Sequence, residues 1–266
     1  MSARKDTQSH PATGSSGACS VELIAEEPLL VRVDDRPYSL VMRTPGEELF
    51  HAAGFCLAEG ILDSPNDLET IGYDEDLDPN VIDVWIRAER REKIHDILKR
   101  RVFVSQTSCG ICGKEMLEDL RQILVPAQDG FEIGVDRVFD CIDRLSASQK
   151  HYRTTRSSHA ALLLDERLET ISFAEDVGRH NALDKAIGKA FVGRKLSEAR
   201  ILVLSSRNSY ELVQKAARAR LPIVISNSRP TALAVEMGRA LNITLAYPDG
   251  ESDLVVLCGE QRIRRA

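Results

Sequence analysis

The chain has 266 residues, 43% of them hydrophobic and 29% charged, with a formal net charge of -6. That balance suits one large or two modest globular domains and excludes wholesale disorder, while the acidic excess argues against general nucleic-acid binding. No apolar run approaches the roughly 20 residues of a membrane-spanning helix. Met1 to Ser20 contain no Val, Ile, Leu or Phe, which predicts a disordered tail over residues 1–20. The same stretch lacks the apolar segment of a signal peptide, so the expectation is a cytoplasmic protein with reduced thiols. Leu29 to Val33 and Tyr38 to Met42, joined by Asp34-Asp35-Arg36-Pro37, predict a hairpin. Thr44 then offers an N-cap, with Pro45 at the first helical position, for a helix reaching Glu59 and closed by Gly60. Glu59 to Asp83 carry nine acidic residues and no Lys or Arg, whereas Arg87 to Arg101 carry seven basic residues against three acidic. This reads as an acidic strand pair followed by a charged helix face.

From about residue 160 short Val/Ile/Leu-rich strands alternate with helices of about ten residues, the pattern of βαβ units and a mostly parallel buried sheet. Strands are predicted over 161–164, 168–173, 201–204, 223–226 and 243–246, and helices over 179–191, 210–219 and 231–241. The predicted class is α/β, with an α+β region over 21–145 and an α/β domain over 146–266.

Of the six cysteines, Cys109 and Cys112 form a C-x-x-C inside Ser108-Cys109-Gly110-Ile111-Cys112-Gly113-Lys114, just ahead of a helical pattern. A glycine-rich loop at a helix N-terminus lowers a thiol pKa through unpaired N–H groups, and Lys114 adds positive charge. A zinc site lacks a second C-x-x-C or a spaced His pair, so no structural metal is expected. A thioredoxin-like pair should follow the first strand of its fold, and a structural pair is poorly served by two flanking glycines. A nucleophilic or sulfur-carrying thiolate on an exposed loop stands beside these readings. Nucleoside deaminase chemistry is excluded because no H-x-E or C-x-E precedes the pair.

Two strand ends carry matching polar clusters. Ser205, Arg207 and Ser209 follow one strand, and Ser228 and Arg229 follow the next. Ligands of open α/β sheets bind outside the carboxyl ends of strands, where helix N-termini and arginines suit phosphates. A third cluster gathers Asp176, Arg179, His180, Asn181 and Lys185, with Asp184 one turn beyond His180 on the same helix face.

These segments together resemble the FdhD family, the formate dehydrogenase accessory sulfurtransferases. The resemblance rests on Glu27-Pro28-Leu29, Met42 to Gly46, Gly54-Phe55 with Glu59-Gly60-Ile61, S-C-G-I-C-G-K at Ser108 to Lys114, E-D-V-G-R-H-N-A-L-D-K at Glu175 to Lys185, and Ser209 to Ala217. It implies a persulfide carrier at Cys109 with Cys112 as its partner, loaded by a cysteine desulfurase. It further implies sulfur delivery to a molybdenum (or tungsten) bis(pterin guanine dinucleotide) cofactor of formate dehydrogenase, a homodimer, and a larger domain like the cytidine deaminase fold. The strand-end residues, with His159, Tyr247 and Gly250, would hold the cofactor. A non-transferring cofactor chaperone and a dithiol redox protein are the alternatives. The chain departs from the family where T-G-G-x-H becomes Thr155-Arg156-Ser157-Ser158-His159, and where Ser206, Arg229 and Tyr247 alter three further elements. Arg156 and Arg229 would restore positive charge lost with a late family arginine.

Overall fold

The structure is a computed structural model and describes residues 6–15, 17–73, 78–94, 124–128, 130–250 and 252–264. Its first core grows from the alternation in strands β3 (Glu27–Val33) and β6 (Val81–Ile86). Leu29, Val31, Val33, Ile82, Val84 and Ile86 share one face and are all 3% exposed or less. β4 (Arg36–Arg43) and β5 (Leu68–Tyr73) complete a sheet of order β4-β3-β6-β5, with β3 and β6 parallel. Helix α1 (Glu48–Ala58) packs on its inner face.

The second sheet has six strands in the order β13-β12-β11-β10-β8-β9. They are β8 (His159–Leu164), β9 (Thr170–Asp176), β10 (Ile201–Arg207), β11 (Ile223–Ser228), β12 (Thr244–Pro248) and β13 (Leu254–Cys258). Only β10/β11 and β11/β12 are parallel, so the expected mostly parallel sheet is a mixed one. Hairpins make β8/β9 and β12/β13 antiparallel, and because the helical connection from β9 to β10 steps over β8, β8 also runs antiparallel to β10. One face is covered by α5 (Arg179–Val192), α6 (Tyr210–Arg218) and α7 (Ala232–Ala240). The other receives Val138, Cys141 and Leu145 of α3 (Val135–Ser148), which explains why the strands are apolar throughout. A short parallel pair, β7 (Ile133–Gly134) with β14 (Ile263–Arg264), and two one-turn helices, α2 (Ala88–Lys93) and α4 (Lys150–Thr155), complete the fold.

The two sheets share one apolar core because α1 lies directly on α5. Gly54 and Gly188 face each other there, and a Cβ on either would fall inside the partner backbone, at the Asp184 or the Phe50 carbonyl. The layers therefore run four-stranded sheet, α1, α5 to α7, six-stranded sheet, α3. Helix α3 crosses the expected boundary at 145/146, because its apolar face buries against the second sheet.

Three further expectations change. Residues of the expected tail form strands β1 (Thr7–Gly14) and β2 (Gly17–Ile24), paired from Thr7↔Ile24 to Gly14↔Gly17. Their Ser, Thr, Gly and Ala content hides them from any apolar pattern. Backbone pairing, packing against α4, and contacts of Asp6 with the Ala25 amide (2.8 Å) and His151 (3.7 Å) hold them. Thr44 is not the cap of α1: Glu47 stands at that position in the left-handed region, and the Thr44 hydroxyl accepts from the Val177 amide at 3.0 Å. The acidic and basic stretches meet at Arg90, which pairs with Asp63 and Asp67, while Asp63 also meets Arg218 of α6 and Arg91 meets Asp34 of the β3/β4 hairpin. Arg218 and Arg90 hold the Asp63 carboxyl below its ordinary value against the opposing effect of burial. Among the described residues no helix is long and apolar enough to cross a membrane.

Candidate functional site

The carboxyl end of β9 delivers two consecutive acids to opposite faces, as strand geometry requires. Asp176, fully buried, points toward α1 and α5. Its Oδ2 lies 2.7 Å from Lys185 Nζ and accepts from the Thr44 amide at 3.1 Å, while Oδ1 accepts from the Gly178 amide and from Asn181 Nδ2 at 2.9 Å each. Lys185 also donates to the Thr44 carbonyl at 2.7 Å, and Asn181 to the Met42 carbonyl at 2.7 Å. Asp176, Asn181 and Lys185, all predicted to bind the cofactor, meet here and spend these groups on tying the β4–α1 loop to α5.

One turn along, Asp184 takes both carboxylate oxygens to Lys215 Nζ, at 2.8 Å each. Burial pushes the Asp184 carboxyl up despite that ammonium. At the helix starts, His180 Nε2 lies 2.9 Å from Glu211 Oε2, and that bond is the chief cause holding the Glu211 carboxyl down. His51 on α1 closes the layer, 1% exposed and with neither ring nitrogen hydrogen-bonded in the described chain. Burial drives its pKa well below the ordinary imidazole value, reinforced by Lys185, Lys215 and Arg43. The native state therefore excludes a proton that the unfolded chain binds, so this group is neutral in its effect above about pH 6.5 and destabilising below it. Unfolding titrations below pH 6.5 should show His51→Phe flattening the wild-type decline, by at most about 1.4 kcal/mol per pH unit. Parallel profiles for the two proteins would refute this account.

A cavity of about 550 Å³ opens outside the carboxyl ends of β10 and β11, beside the first residue of β8. Ser205 and His159 of the predicted set line it, together with Arg156, Ser157 and Ser158 from the loop after α4 and Asn227 from β11. Tyr152 and Arg153 of α4 form its rim, and the Arg156 guanidinium sits 5.5 Å from the centre of the Tyr152 ring. Ser205 Oγ accepts from the Ala160 amide at 2.8 Å, which locks β8 to β10 at the cavity floor. Burial lowers the His159 pKa, and Arg179 and His180 lower it further, so the neutral imidazole faces the cavity at pH 7. Of the lining residues, Asn227 has its side-chain Oδ1 buried without a hydrogen bond in the described chain. A buried amide oxygen of this kind is normally satisfied, so Asn227 offers the cavity a free acceptor for a polar ligand.

The remaining predicted residues lie apart from the cavity lining. Arg229 stacks 5.9 Å from Tyr247 and pairs with Asp249 at 3.4 Å, beside Gly250 at φ +92°. Arg207 and Ser228 are exposed partners in the β10/β11 register. Ser209 precedes α6 without capping it. Cys109 and Cys112 lie outside the described residues. Among the described cysteines, burial pushes the Cys141 thiol up to about 12 and raises those of Cys56 and Cys258, while Cys19 is exposed on β2. No group of three or more potential metal ligands occurs among the described residues. The sequence reading missed Tyr152 and Arg153; the available signal was the i, i+4 spacing of Tyr152 and Arg156.

A mixed α/β protein with a polar cavity at its strand ends defines the class. The FdhD/NarQ family model matches residues 24–264. The "Sulfur carrier protein FdhD" of Streptomyces coelicolor is 38% identical over 251 residues, covering 91% of this chain and 88% of the relative. Its namesake in Anaeromyxobacter dehalogenans (strain 2CP-C) is 36% identical over 260 residues, covering 93% and 90%. A crystal structure from Desulfotalea psychrophila, assigned as a formate dehydrogenase accessory protein, superposes with a TM-score of 0.75 at 22% identity over 97% of this chain and 98% of that one. The chain belongs to the FdhD/NarQ family.

Proposed function

We propose that this protein is a cytoplasmic sulfur carrier for formate dehydrogenase maturation. The observation that carries the reading is its 38% identity, over nearly its whole length, to a protein named as a sulfur carrier. In the proposed reaction the Cys109 thiolate attacks the terminal sulfur of a cysteine desulfurase persulfide. A new S–S bond forms on Cys109, the old one breaks, and the donor leaves as a thiolate, with no external oxidant. Attack of Cys112 on Cys109 then releases the sulfur as hydrosulfide to the molybdenum bis(pterin guanine dinucleotide) substrate. The resulting disulfide takes two electrons from a cellular dithiol before the next cycle.

The high thiol pKa values of Cys56, Cys141 and Cys258 suit core positions and not sulfur transfer. The cavity supports the cofactor part of the reading: its volume suits one nucleotide arm, Arg156 offers a cation to phosphate, and Asn227 Oδ1 an acceptor to a base amide or amine. A homodimer and a deaminase-like layout of the larger unit belong to the same reading, the first being checked by light scattering.

Mass spectrometry after incubation with a cysteine desulfurase and L-cysteine should show one added sulfur on the peptide holding Cys109. The adduct should vanish in Cys109→Ser and persist in Cys19→Ser. No adduct with guanosine diphosphate still bound would replace the carrier by a cofactor holder. An internal Cys109–Cys112 disulfide cycling without added sulfur would make it a redox protein.

A further inference from the structure

Glu175, the penultimate residue of β9, was not among the predicted binding residues, and it does not touch the cavity. It is 8% exposed and faces away from the Asp176 network. Its Oε2 accepts from the His151 amide at 2.9 Å, and its Oε1 accepts from the Tyr152 amide at 3.0 Å and from the Ser158 hydroxyl at 2.9 Å. One carboxylate therefore grips both ends of a ten-residue wall, the first turn of α4 and the turn that follows it. Helix α4 has six residues and its N-cap, Gln149, makes no side-chain capping bond. A helix this short does not hold itself, and an anion on its first free amides supplies what the cap lacks. The wall so fixed carries Tyr152, Arg156 and His159 at the cavity.

We infer that Glu175 is a positioning residue that sets the 150–159 wall and, through it, the ligand-facing groups of the cavity. The link to affinity rests on the cavity being the nucleotide site proposed above; the hold on the wall does not. Two neighbouring acids then have separate duties, Asp176 joining the two sheets and Glu175 shaping the cavity.

The test measures amide exchange and guanosine diphosphate affinity in the full-length protein with Glu175→Ala and Glu175→Gln. Exchange at residues 151–158 should rise in Glu175→Ala while the amides of β8, β10 and β11 keep their protection. Affinity should fall roughly tenfold, the equivalent of about 1.4 kcal/mol, as expected for loss of charge-assisted hydrogen bonds. Glu175→Gln should lie between, because its one oxygen still accepts while its NH2 opposes the remaining donors. Unchanged exchange across 151–158 in both variants would overturn the inference. So would wild-type affinity in Glu175→Ala despite a loosened wall. If the wild type does not bind the nucleotide, the site reading fails, and the exchange measurement alone decides the role of Glu175.

Discussion

Alanine at Gly188 is expected to destabilise the protein by about 3 kcal/mol or more, lowering the thermal midpoint by roughly 6–12 °C. The sign is a contest between two effects. Glycine inside a helix costs about 1 kcal/mol relative to alanine, so propensity alone predicts stabilisation at Gly188 in α5 and at Gly54 in α1. Packing opposes this: the new methyl at 188 would occupy the Phe50 carbonyl of α1, and the one at 54 the Asp184 carbonyl of α5. Backbone cannot swing aside as a side chain can, so the helices must separate along a contact that both sheets share. Gly72→Ala is the control, since a Cβ there meets nothing within 4 Å and its φ needs no glycine. Calorimetry should place that variant at or slightly above the wild type. A midpoint for Gly188→Ala within 2 °C of the wild type would remove the close crossing as a constraint.

Lys185→Met should cost about 3–5 kcal/mol, because it strands the Asp176 carboxylate at a site with no access to water. The double variant Asp176→Leu/Lys185→Met should recover much of the loss, since a buried ion pair and an apolar pair of similar volume are often of comparable stability. This measurement also separates two duties. Were Lys185 a ligand contact, the single variant would lose affinity for an anionic nucleotide and keep its midpoint. The geometry predicts the reverse: a large fall in denaturant midpoint, and unchanged guanosine diphosphate affinity in the fraction that remains folded.

The sequence made much of this legible where residues repeat with a period. The β3/β4 hairpin, helices α5, α6 and α7, and the strands between them follow from apolar spacing, because each buries one face or both. What stayed hidden was set by contacts between distant segments. Thr44 has every local mark of a helix cap, yet its hydroxyl and amide serve Val177 and Asp176, more than 130 residues away. Lys185 and Asn181 read as cofactor-binding groups near a helix start, and only the arrival of the β4–α1 loop gives them inward partners. The β1–β2 hairpin has almost no apolar alternation to announce it. Strand β13 went unpredicted, and the antiparallel run of β8 against β10 was hidden, since side-chain patterns report burial and not polarity of pairing.

The crossing of Gly54 and Gly188 also fixes an order of events during synthesis. Helix α1 cannot bury its apolar face against α5 until some 130 further residues have left the ribosome, a wait of roughly 7–27 s at 5–20 residues per second. Once β6 is complete at Ile86, the four-stranded sheet has one covering helix and no partner for it for the rest of that interval. The nascent protein thus passes through a sticky stage whose length is set by translation speed, and slow codons between residues 60 and 180 would prolong it.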